Sequence, residues 1–173
     1  MTILSLDIGA TIGWALINCD RETVTDKGQI PYAEPGTCNL PLPKAYEYEA
    51  AVIEEPSGIA FTRVTDGKDA SKVRGIAWSC AKNRERAIAW KNYLLGRSVP
   101  VFMVKDRKSK AKRLAELCGL TATAQHEWRQ HEADAAAHGL TWVRKNKAKQ
   151  FAAATTEPRR SKGGTPTGGT SCG

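Results

Sequence analysis

Four side chains in this sequence could do acid–base or metal chemistry if folding brought them together: Asp7, Glu54, His131 and Asp134. Asp7 follows the apolar residues Ile3, Leu4 and Leu6, so it reads as a carboxylate inside a strand. Burying an unpaired charge is expensive, so Asp7 needs a cation, a hydrogen-bond donor or a metal ion beside it. Gly9 and Gly13 let the backbone turn and let a ligand come close. Glu54 ends the compact apolar run 50–53 and is followed by Glu55-Pro56-Ser57-Gly58, with Glu55 as the alternative carboxylate. His131 and Asp134, three residues apart in a helical string, share a face. Clustered carboxylates repel one another unless something positive lies between them. Mg²⁺ fills that place with oxygen ligands and keeps positions for water and phosphate. Two such ions about 3.5–4 Å apart hold the attacking and leaving oxygens of an in-line phosphodiester displacement. That chemistry needs no covalent protein nucleophile. Each residue alone has a plainer reading, as a turn residue, a surface charge or a core histidine; it is the combination that points to a site.

The elements that must position these groups are legible from the apolar pattern. Ile3 to Leu16 reads as a strand, a tight Gly-bearing turn and the start of a second strand, which Trp14 to Ile17 continues. Val24 to Ile30 completes an antiparallel meander. Residues 31–43 carry four prolines and Gly36 and read as loop. Residues 50–53 form a buried strand, and 59–68 another loop. A long helix follows over 70–95, with Val73, Ile76, Ala77, Cys80, Ala87, Ile88 and Leu95 at broadly helical spacing and Gly96 as its stop. Val99 to Val104 is a strand, Ser109 to Cys118 a short helix and residues 125–144 a final helix with a break near Trp128. The small residues after Asp134 let that helix lie close to a sheet. The expected fold is α/β: a mixed sheet, with an antiparallel meander plus parallel strands, flanked by helices. Residues 1–148 are expected to form one domain and 149–173 a basic disordered tail.

Composition narrows the function classes. The 173 residues carry 26 Lys and Arg against 18 Asp and Glu, a formal charge of +8, which favours a polyanionic partner. The five cysteines form no Cys-x-x-Cys pair, so reduced cytoplasmic thiols are expected rather than a zinc site or disulfide framework. No apolar stretch approaches the ~20 residues of a membrane helix, and Met1 leads straight into the first strand with no signal peptide visible.

Asp7-Ile-Gly-Ala-Thr-Ile-Gly-Trp-Ala15, Val52-Ile-Glu54 and His131-Glu-Ala-Asp134-Ala135 together resemble the RuvC family of Holliday-junction resolvases, most closely its phage-type members. Ser71-Lys72-Val73-Arg74-Gly75-Ile76-Ala77 is similar to that family's long helix behind the second acidic residue. The resemblance spans about residues 1 to 145, with the specificity confined to the motifs. Ile8 stands where cellular members usually carry Pro, and the turn after it is tighter.

The resemblance implies an RNase H-like fold, a homodimer and Mg²⁺-dependent nicking of four-way or other branched DNA, with Mn²⁺ able to substitute. It implies metal-binding roles for Asp7, Glu54 and Asp134, and an acid–base or phosphate-contacting role for His131. Phe61 falls where family members present an aromatic wedge to the junction centre. The family's lysines near the site have their nearest matches in Lys105 and Lys110, with Lys108 and Lys112 competing. Arg63, Lys68, Lys72, Arg74 and Arg107 complete the expected DNA-contacting set; such phosphate contacts position DNA without reading its sequence. Three rivals are a YqgF-type RNA nuclease, a phosphotransferase of the actin/sugar-kinase type and a non-catalytic junction binder. The long basic helix and the His131/Asp134 pair favour the DNA enzyme over the first. The chain is short for the second and shows one phosphate-loop pattern. The intact acidic set argues against the third.

Overall fold

The computed structural model describes residues 1–37, 42–44, 47–55, 70–105 and 128–156, with the side chains of 70–74, 76 and 148–156 left aside. Five strands form one sheet: β1 (Thr2–Ile8), β2 (Thr11–Asn18), β3 (Thr23–Pro31), β4 (Ala50–Glu54) and β5 (Val101–Val104). Their order is β3-β2-β1-β4-β5. The first three are antiparallel, whereas β4 runs parallel to β1 and β5 parallel to β4. Two long helices, α1 (Ala70–Gly96) and α2 (Gln130–Thr156), pack against it. This is the α/β mixed sheet expected from the sequence, an antiparallel meander plus parallel strands flanked by helices. No helix among the described residues is long and apolar enough to cross a membrane.

The period-two alternation of a strand divides the core into two layers. Leu4, Leu6 and Ile8 of β1, Ala51 and Ile53 of β4 and Trp14 of β2 pack with Ala87, Trp90 and Leu94 of α1. Ile3 of β1, Ala50 and Val52 of β4 and Ala15 and Ile17 of β2 pack with Ala133, Ala135, Ala136, Ala137, Leu140 and Val143 of α2. The alternation sets Asp7 and Glu54 on the α2 side. Both strands are buried on both faces, which explains their near-continuous apolar runs.

α2 lies unusually close to the sheet because its contact residues are small. A Cβ on Gly139 would come within 2.2 Å of Ile17 Cδ1 and 2.8 Å of Ser5 Cβ. Ser5 Oγ donates a buried hydrogen bond of 2.6 Å to the Ala135 carbonyl. At the other end of the contact, a Cβ on Gly13 would meet the His131 carbonyl oxygen at 1.9 Å. The helix start is fixed as well. Glu132 accepts from the Arg129 backbone N–H at 3.2 Å, half of a capping box. The same carboxylate, 8% exposed, pairs with Lys27 of β3 at 3.1 Å.

Three departures from the sequence expectations have local causes. α2 begins at Gln130, after a bend at Trp128, because Glu132 caps it there. It runs on to Thr156 rather than losing its pattern at Lys145. Arg144 and Lys147 pair with Glu22 at 2.9 and 3.1 Å, and Ala152 to Ala154 are strong helix formers. At the end of α1 it is Ser98, not Gly96, that takes the left-handed backbone, at φ 61°. The short helix expected at 109–118, the loop at 59–68 and residues 157–173 lie outside the described residues.

The close packing gives a stability test with opposite signs. Gly13→Ala must displace backbone and is expected to cost about 3 kcal/mol or more, and Gly139→Ala about 1–3 kcal/mol. Gly75, in exposed α1 with nothing within 4 Å of its would-be Cβ, should gain about 0.5–1 kcal/mol as Ala. Urea midpoints of the three variants check this ordering; a neutral Gly13→Ala would contradict the packing.

Candidate metal centre

The parallel register pairs Leu6 with Ile53. One residue further, Asp7 and Glu54 stand side by side at the ends of β1 and β4. On the antiparallel side Asp7 pairs with Gly13, where the missing side chain makes room for the first turn of α2. That turn brings His131, and successive turns on the same face bring Asp134 and His138, at spacings of three and four.

The five side chains form two overlapping groups. The ligand atoms of Asp7, His131 and Asp134 lie within 4.8 Å of one another, and so do those of Asp7, Glu54 and His138. His131 Nδ1 is 2.8 Å from Asp7 Oδ2, and His138 Nε2 is 3.1 Å from Glu54 Oε2. Asp7 and Asp134 are buried, Glu54 and His131 are half-buried, and His138 is fully enclosed. The centre therefore opens to solvent on the His131 side and is sealed beneath His138. Three carboxylates this close, in a poorly solvated place, carry a strong mutual repulsion that a divalent cation relieves. A set of carboxylate oxygens and imidazole nitrogens fits such an ion.

The choice between the adjacent glutamates follows from strand alternation. Glu54 joins the cluster, whereas Glu55 turns away and pairs with Lys105 Nζ at 3.5 Å. Lys105 is largely exposed in that pair, so the pair itself contributes little. Lys72 and Arg74 lie on the first turns of α1, where only the backbone is described. Phe61, Arg63, Lys68, Arg107, Lys108, Lys110 and Lys112 lie outside the described residues. His138 is not among the residues expected from the sequence: it continues the stripe begun by His131 and Asp134, but a single histidine after three alanines resembles a core residue.

α1 closes the other side of the turn between β1 and β2. Asn83 Nδ2 lies 3.7 Å from the position a Cβ on Gly9 would take. Arg86 donates to Asn83 Oδ1 at 3.3 Å and stacks its guanidinium 4.2 Å over the Tyr32 ring. Burial, with Glu34 nearby, pushes the Tyr32 phenol up to about 12, so it stays protonated as a donor. Cys19 is buried and its thiol is pushed up by desolvation, in keeping with an inert structural cysteine.

No family model matches the sequence, and no curated protein matches it. Among solved structures, the chain is similar to T. thermophilus RuvC in complex with a Holliday junction substrate. The two are 15% identical over 87% of this chain and 96% of that one, with a TM-score of 0.45.

Cation binding is directly measurable through stability. A ligand at about 100 times its Kd should stabilise the fold by about 2.7 kcal/mol. Millimolar Mg²⁺ or Mn²⁺ is therefore expected to raise Tm. Asp7→Asn should abolish the increase, since Asp7 belongs to both groups, whereas Glu54→Gln and Asp134→Asn should each retain part of it. An unchanged metal response in Asp7→Asn would remove that residue from the centre.

Proposed function

We propose that this protein is a structure-selective DNA endonuclease that hydrolyses phosphodiesters in four-way or other branched DNA. The observation that carries the reading is the convergence of Asp7, Glu54 and Asp134, with two imidazoles, at the open end of a mixed sheet. A bound divalent ion, Mg²⁺ with Mn²⁺ able to substitute, supplies Lewis-acid activation of the phosphate and of the attacking water. Asp7, Glu54 and Asp134 hold that charge in place. His131, on the solvent side and 2.8 Å from Asp7, is placed to exchange a proton with an incoming water or a leaving oxygen. Asp7 in turn fixes the orientation of its ring. The buried floor beneath His138 keeps bulk water from that side of the carboxylates.

The +8 charge supports a nucleic-acid partner. The cations Lys82 and Arg84 on the exposed surface of α1 extend the basic set that would hold backbone phosphates. A homodimer would supply two related sites for paired nicks, since a two-fold axis matches two strands of a junction.

Labelled four-way, three-way and linear duplex DNA and a structured RNA, each incubated with and without Mg²⁺, test the reading. Paired nicking of the four-way junction, dependent on Mg²⁺, is expected. Asp7→Asn should bind the junction as wild type does and nick it at least about a hundredfold more slowly. Binding that engages about six phosphates should weaken roughly a thousandfold between 50 and 200 mM salt. Preferential cleavage of the RNA would favour an RNA-processing nuclease, and undiminished nicking by Asp7→Asn would overturn the assignment.

A further inference from the structure

We infer that His138 is a nitrogen ligand of the metal centre, and that it tunes the Glu54 side of the centre toward first-row transition ions of the Mn²⁺ class over Mg²⁺. The inference rests on the metal-binding part of the function proposed above and adds a residue and a metal preference to it.

Three observations carry it. His138 is 0% exposed in a stretch of α2 otherwise made of Ala135, Ala136, Ala137, Gly139 and Leu140. Leucine or methionine would fill that space without the cost of enclosing a polar ring. The ring is also aimed: Nε2 lies 3.1 Å from Glu54 Oε2, and Asp7 offers a carboxylate oxygen to the same group. Two ligands on adjacent vertices of an octahedron with bonds of about 2.1 Å are about 3.0 Å apart, so the separation suits a shared ion. Finally, the pattern is repeated. Asp7 has a histidine and a second carboxylate on each side, His131 with Asp134 and His138 with Glu54. Two such sets sharing Asp7 could hold a cation on either side of it.

The metal preference follows from donor chemistry. Mg²⁺ favours oxygen ligands and retains several waters, whereas the affinity of nitrogen-bearing sites rises along the first-row transition ions from Mn²⁺ through Fe²⁺ and Co²⁺ to Ni²⁺. Each imidazole therefore raises affinity for a transition ion more than for Mg²⁺.

Pulsed EPR of bound Mn²⁺, which detects directly coordinated ¹⁴N, tests this independently of any nuclease activity. Wild type should show histidine nitrogen coupling that changes on ¹⁵N-histidine labelling. His131→Asn should retain that coupling, whereas His138→Gln should lose it. His138→Gln should also lower Mn²⁺ affinity about tenfold or more while changing Mg²⁺ affinity much less. If His131→Asn binds Mn²⁺ with no nitrogen coupling, His138 is no ligand and the inference fails, whether or not the His138 variant folds. Equal losses of Mn²⁺ and Mg²⁺ affinity in His138→Gln would instead assign the ring to orienting Glu54 by a hydrogen bond, and would also overturn the inference. Junction nicking by wild type without His138 coupling leaves the nuclease reading standing alone. His138 coupling without nicking does the reverse.

Discussion

Like charges held close together in a poorly solvated place are the constraint on which the rest of this structure turns. Asp7, Glu54 and Asp134 come from three separate elements, and their convergence opposes folding unless a positive charge compensates it. His131 and His138 stand 2.8 and 3.1 Å from Asp7 and Glu54, and a divalent cation would supply the positive charge. Functional centres are where proteins accept this kind of local cost, and here the surrounding packing holds the groups in place.

That packing depends on small residues. Gly13 and Gly139 are two points of close approach between α2 and the sheet, and in both places a single methyl group would overlap existing atoms. The alanines between them and the buried hydrogen bond from Ser5 hold the helix at one height and one rotation. A helix packed through bulkier side chains would stand farther off, and His131, Asp134 and His138 would not reach the strand ends. The Glu132 cap and its ion pair with Lys27 set where the helix begins, and so which residues face inward. Structural residues of α2 thus alternate with chemical ones along the same turns.

Much of this is visible in the sequence because it obeys simple periods. The apolar runs of β1 and β4 predict that Asp7 and Glu54 fall on strands, and the spacing of three predicts that His131 and Asp134 share a face. The choice of Glu54 over Glu55 is not written in the local sequence, since it depends on which face of β4 meets α2, a fact set by tertiary packing. His138 is hidden for a related reason: it gains chemical meaning only once Glu54 is known to lie beneath the same helix. The extension of α2 to Thr156 depends on ion pairs with Glu22, more than a hundred residues away in the chain, where local composition suggested only a basic tail.

The central claim is that one pocket, with Asp7 at its middle, binds divalent cations. Anomalous diffraction from crystals soaked in Mn²⁺ tests it most directly. The account predicts anomalous density within about 2.2 Å of the Asp7 carboxylate, contacted as well by Glu54 or Asp134. Manganese bound only elsewhere on the molecule, or absent from the soaked crystals, would contradict it.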